Sequence, residues 1–209
     1  MAAKEFDPID GLFDTYTNET SDTIELKGIE ALCEDLEVNR ADVRILILAW
    51  KMKAKNRDVF TKDEWRRGLE GLGANTIIEL RKVLDVLKRE MSVIESFDAI
   101  VAPEFFENFY IYAFQYNLNE DQRVDIKSVC QLLNVVLGPA FPIQVDLVTE
   151  YLKVQRDYDS FNEYHWSGFF PFFKEVRFQN LQSYDASSEV WPEIIDDFVE
   201  WFKENDYKL

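Results

Sequence analysis

Apolar residues recur along this chain at spacings of three and four, the period of one face of an α-helix. The clearest case closes the sequence. Trp191, Ile194, Ile195, Phe198 and Phe202 share one stripe, and Glu193, Asp196, Asp197 and Glu200 lie off it. Pro192 at its start suits a first helical position, where the missing N–H would be unpaired anyway. The same period predicts helices on Ile9, Leu12 and Phe13, and on Ile29, Leu32, Cys33 and Leu36. It continues on Leu80, Val83, Leu84 and Leu87, then on Phe106, Phe109, Tyr110, Ala113 and Tyr116, then on Ile126, Val129, Cys130 and Leu133. The stretch from Val43 to Met52 is apolar on nearly every side, which predicts a helix buried at the centre of its half.

Helix starts are also legible. Thr61-Lys-Asp-Glu64 reads as a capping box, with Phe60 and Trp65 as the hydrophobic staple across it. Thr76 with Glu79 and Ser160 with Glu163 repeat the box. Asn39 is expected to cap the Val43 helix, with Asp42 in its first turn. Gly138-Pro-Ala-Phe-Pro142 is a break, followed by a helix over 145–154. Pro171 should kink or divide an aromatic helix that reaches Phe178. The period is weakest over 92–102, which predicts a junction between halves at about 7–91 and 103–202. The expectation is one all-α domain over 7–202, a bundle of about ten helices.

Composition sharpens this picture. Seven Gly and six Pro in 209 residues supply too few turns for an all-β sandwich, and seventeen Phe with five Trp supply ample core. A net charge of −17 disfavours nucleic acid or an anionic membrane as partner. The charge is uneven: Lys51 to Glu90 holds eleven basic against seven acidic residues, +4, leaving −21 for the rest. No export signal or bilayer-length apolar run is readable, and two cysteines fit a reducing compartment, so a cytoplasmic or nuclear address is expected.

Chemistry finds little footing. Helix–loop–helix pairs invite an EF-hand test, with oxygen ligands at loop positions 1, 3, 5 and 12. Setting the hydrophobic eighth position on Ile24 gives Thr17, Glu19, Ser21 and Gly28. Setting it on Ile126 gives Asn119, Asp121, Arg123 and Cys130, and on Phe60 gives Lys53, Lys55, Arg57 and Glu64. None is a calcium cage. One His and two distant Cys cannot build a zinc site. Cys33 and Cys130 fall on apolar stripes, and His165 lies between Tyr164 and Trp166 as a packed or surface residue. No catalytic residue, metal or cofactor is expected.

Two blocks resemble a known family. Ile45-Leu-Ile-Leu-Ala-Trp-Lys-Met-Lys-Ala54, followed by Phe60-Thr-Lys-Asp-Glu-Trp65 and Gly71-Leu-Gly73, is similar to the first half of the defective-in-cullin-neddylation family domain. Trp191-Pro-Glu-Ile-Ile-Asp-Asp-Phe-Val-Glu200 resembles its closing signature. The likeness runs from about Asp7 to Phe202 and lapses only around 92–103. The resemblance implies two EF-hand-like subdomains without metal sites and a scaffold-type, non-catalytic component of cullin neddylation. It implies two partners: the C-terminal winged-helix region of a cullin, and the acetylated amino terminus of the neddylation conjugating enzyme. By position, the family's cullin-facing acid, alanine and acid fall on Tyr164, Val190 and Asp196, of which only Asp196 keeps the family residue. The pocket for the acetylated methionine falls on Ile29, Ile45, Leu46, Leu48, Ala49, Phe60, Tyr116 and Val135, with Arg57 and Asp58 at the rim. A monomer without the upstream ubiquitin-binding domain of many relatives is expected. The rival readings are a calcium-binding EF-hand-like protein and an inactive or retargeted interaction domain.

Overall fold

The computed structural model describes residues 7–18, 21–92, 103–176, 181, 184–185 and 190–205. Among them ten α-helices are joined by two antiparallel ladders of two-residue strands, an all-α architecture. The chain divides into two compact units, residues 1–116 and 117–209.

The first unit contains α1 (Pro8–Tyr16), β1 (Thr23–Ile24), α2 (Leu26–Leu36), α3 (Val43–Met52), β2 (Phe60–Thr61), α4 (Lys62–Leu72), α5 (Ile77–Ser92) and α6 (Pro103–Gln115). Ile24 pairs with Phe60 and Thr23 with Thr61, so the loops of two helix–loop–helix hands lie side by side. The Val43–Met52 helix forms as its pattern predicts. Ile47, Leu48, Ala49 and Met52 are fully buried, and α4, α5 and α6 pack around it. Gly68 permits the close approach of α4, because a Cβ there would meet Met52 Cγ at 2.3 Å. The predicted capping box also forms: Thr61 Oγ1 accepts from Glu64 N–H, and the Glu64 carboxylate accepts from Thr61 N–H. Its other oxygen accepts from Lys55 N–H at 3.1 Å, so one buried acid fastens both ends of the 55–61 loop. Beside the box, Trp65 packs against Phe13 and Tyr16 and donates its indole N–H to Ile9 O.

Asn39 does not cap α3. Its side chain closes a turn onto Ala41 N–H, and Asp42 is the N-cap, accepting from Arg44 N–H at 2.9 Å. The later residue wins because Arg44 and Lys88 also converge on its carboxylate. The expected junction over 92–102 lies, apart from Ser92, outside the described residues. Packing against α3 assigns α6 to the first unit, so the division falls at Tyr116/Asn117 rather than before Pro103.

The second unit contains β3 (Val124–Asp125), α7 (Ile126–Val136), α8 (Pro142–Val154), β4 (Ser160–Phe161), α9 (Glu163–Glu175) and α10 (Glu193–Glu204). Here Val124 pairs with Phe161 and Asp125 with Ser160. The ladder therefore centres on Val124, two residues before the expected Ile126, which moves loop positions 1, 3, 5 and 12 to Asn117, Asn119, Asp121 and Ser128. Ser160 is not a helix cap. Its backbone is committed to the ladder and its hydroxyl to Arg123 Nε at 2.8 Å, and Asn162 caps α9 by accepting from His165 N–H. Pro171 sits inside α9 without dividing it, and the helix ends at Glu175; Phe178 lies outside the described residues. Pro142 opens α8 three residues earlier than expected. No helix among the described residues is long and apolar enough to cross a membrane.

Candidate functional site

In the second unit, the stripe read from the sequence is the glue of α10. Ile194, Ile195 and Phe198 are fully buried, Trp191 and Phe202 nearly so. Phe172 of α9 meets Trp191 and Phe198 edge-on, with ring centres 5.6 and 6.1 Å apart. Gly168 makes this seating possible: a Cβ there would lie 2.5 Å from Pro192 Cδ and 3.1 Å from Ile195 Cδ1. On the outer side of α10, Glu193 and Glu200 are exposed, and Asp196 and Asp197 are half-buried.

Each of those aspartates is held by a phenol. Tyr184 donates its hydroxyl to Asp196 Oδ1, and Tyr158 donates to Asp197 Oδ2 at 2.8 Å. Burial first, then the aspartate's hydrogen bond and charge, push both phenols above their ordinary pKa, so both remain donors at neutral pH. Sequence reading missed these pairs. The partners are 12 and 39 residues apart, beyond any helical or strand period. Of the other two residues assigned by resemblance to this surface, Tyr164 is 58% exposed on the first turn of α9 and Val190 is 67% exposed just ahead of Trp191. Both positions therefore leave large apolar surface in water.

The first unit holds all but one of the residues assigned to the peptide pocket. Leu48 and Ala49 have no accessible surface, Phe60 1% and Ile29 3%, whereas Ile45, Leu46 and Tyr116 keep partial exposure. Tyr116 stacks on Tyr112 at 5.4 Å, and the Tyr112 hydroxyl donates to Ala54 O at 3.0 Å, which brings the end of α6 to the loop after α3. Ile45 and Leu46 stand more than two turns earlier on α3. The rim residues are there too. Asp58, in the left-handed backbone region at φ 66°, pairs with Arg40, and Arg57 is exposed. Burial, and next the charge of Asp58, raise the Tyr116 phenol against the opposing pull of Arg57 and Arg40. Val135, on α7 of the second unit, is half-buried.

Cys33 and Cys130 are buried, and His165 is half-buried. Burial raises both thiols, Cys33 and Cys130, which disfavours the nucleophilic thiolate. His165 packs edge-on against Tyr158 and Phe161, and its Nδ1 is buried without a hydrogen-bond partner. Burial, then the charge of Arg123, lower its pKa and keep the ring neutral. Among the described residues, no three His, Cys, Asp or Glu side chains cluster as a metal site.

With this geometry in hand, similarity to known proteins is informative. A family model described as cullin binding matches residues 80–201, from α5 through α10. DCN1-like protein 5 of Bos taurus is 33% identical over 178 residues, 85% of this chain and 70% of the relative. DCN1-like protein 4 of Homo sapiens is 32% identical over 186 residues, 88% of this chain and 59% of the relative. The Drosophila melanogaster DCN1-like protein 4 is 29% identical over 193 residues, 91% of this chain and 73% of the relative.

Proposed function

The chain belongs to the cullin-binding, DCN1-like family, and on that premise we propose that it is a non-catalytic scaffold promoting cullin neddylation. The observation that carries this reading is α10. A helix anchored by rings presents Asp196 on its outer side, within the matched residues, which also include exposed Tyr164 and Val190. The partner at this surface is the C-terminal winged-helix region of a cullin. The second partner is the acetylated amino terminus of the conjugating enzyme, taken by the apolar residues around α3, Phe60 and Tyr116. An acetylated terminus suits an apolar slot because it carries no charge to desolvate, whereas a buried ammonium would be expensive.

No nucleophile is required of such a protein. Rate gain would come from holding donor thioester and acceptor lysine together, a conversion of encounter into orientation worth about 7–11 kcal/mol in the best model systems. Reconstituted cullin modification, with and without this protein at limiting conjugating enzyme, tests the reading. The wild type should accelerate transfer, and Asp196→Arg should remove the acceleration while leaving the fold intact. Equal rates with and without the wild-type protein refute the scaffold role. One observation favours a variant of this reading. Tyr164 and Val190 replace the family's acid and alanine with exposed apolar surface, which supports retargeting to a cullin whose facing residues are less basic.

A further inference from the structure

We infer that Tyr184 is a positioning residue for the partner-facing surface, its phenol fixing the Asp196 carboxylate in the orientation that a basic side chain of the cullin meets. The inference rests on the proposed cullin contact at Asp196 and deepens it. Its ground is the way Tyr184 is itself held. Leu181, 7% exposed and in the left-handed backbone region at φ 49°, accepts from Tyr184 N–H at 3.0 Å, which ties the residue to a buried neighbour. The Tyr184 ring then stands edge-on to Phe172, 6.2 Å between centres at 88°, and Lys203 Nζ lies 5.6 Å from its centroid. Phe172 belongs to α9 and Lys203 to the same helix as Asp196, two turns further on. The ring is therefore located by backbone, aromatic and cationic contacts that do not involve its hydroxyl. The hydroxyl adds one thing, a bond to Asp196 Oδ1.

That bond has a direct consequence for recognition. A surface aspartate samples several rotamers, and a partner must freeze one of them on binding. Here the rotamer is fixed beforehand. A carboxylate offers about four acceptor sites on two oxygens, so one phenol leaves capacity for an incoming cation. Asp197 supplies an internal comparison: it is the next residue, held by a different phenol from a different loop.

Calorimetry with the cullin winged-helix region, on Tyr184→Phe, Asp196→Asn, the double variant and Tyr158→Phe, tests the assignment. Tyr184→Phe should weaken binding by roughly tenfold, the order expected for a hydrogen bond to a charged group. It should add nothing in the Asp196→Asn background, and Tyr158→Phe should cost much less. A merely structural tyrosine would cost the same in both backgrounds, so an unchanged second loss overturns the inference even if the variant melts early. Full-strength binding by Tyr184→Phe overturns it too. So does tighter binding, which would make the phenol a competitor for the partner's site. Equal losses from the two tyrosine variants would trace the effect to the general seating of α10 and overturn it as well. If Asp196→Asn binds like the wild type, the contact at Asp196 falls first and takes the inference with it.

Discussion

The two units hold similar helix pairs together by different means. In the first, charge does much of the fastening across long stretches of chain. Arg44 bonds both Asp42 and Asp85, Arg66 reaches Asp10 at 2.6 Å, and Glu64 ties two backbone amides. In the second, rings do it. Phe198 faces Tyr151, Phe172, Trp201 and Phe202, and Phe169 stacks on Phe161 at 5.6 Å. Ionic fasteners are directional but respond to salt and acid. Aromatic packing is indifferent to both. A carboxylate meant to meet a partner is better mounted on the second kind of support, because its own charge then varies with conditions while its position does not.

The contrast can be broken most forcefully at Phe198. Truncation to Ala removes a fully buried ring and should cost about 3–5 kcal/mol, the usual range for emptying an aromatic core position. Urea unfolding at low and high salt should give the same loss. A strong salt dependence would show that the second unit leans on charge after all.

A smaller effect is expected at Asp42. Burial alone would raise this acid, but hydrogen bonds from Arg44 and the charges of Arg44 and Lys88 outweigh it and bring it to about 2. A depressed carboxylate stabilises the fold above its unfolded pKa and loses that stabilisation as pH falls through the folded value. Asp42→Asn should therefore cost on the order of 1–2 kcal/mol at pH 7 and about half that near pH 3. Urea curves at the two pH values decide it, and a loss independent of pH would assign the site's worth to shape instead of charge.

The smallest expected effect concerns the partners. Raising salt from about 50 to 500 mM shortens the screening length severalfold. Binding of the cullin region should weaken a few-fold, and binding of an acetylated amino-terminal peptide should hardly change. Equal weakening in calorimetry would blur the distinction between a charged face and an apolar slot.

Much of this fold is legible from residue spacing. Val43–Met52, the Thr61–Glu64 box and the α10 stripe all form where their patterns put them, because each is decided within one or two turns of chain. The misplacements share a cause: a distant residue settles a local choice. Asp42 displaces Asn39 as cap because Lys88, 46 residues away, adds to its pull. Ser160 forfeits its cap to a strand partner at Asp125. The centre of the second ladder is Val124 and not Ile126, since two apolar residues one pleat apart look alike until Phe161 chooses between them. The outward side of α10 was legible as acidic, but the phenols that hold it were not, since no rule of periodicity joins Tyr184 to Asp196. Half of the slot residues named by resemblance are indistinguishable from core in pattern and in burial alike, as Leu48 and Ala49 illustrate.

The bare hydrogen of Gly168 seats the start of α10 directly against α9. The helix bears on α9 through Pro192 and Ile195, and its twelve residues extend about 18 Å from there. A rocking motion of about 5° would swing the far terminus near Glu204 through roughly 1.5 Å, yet shift the first turn by less than about 0.5 Å. Asp196 rides in that first turn. A tilt of that size would blur a contact made at the tip more than one made where this carboxylate sits.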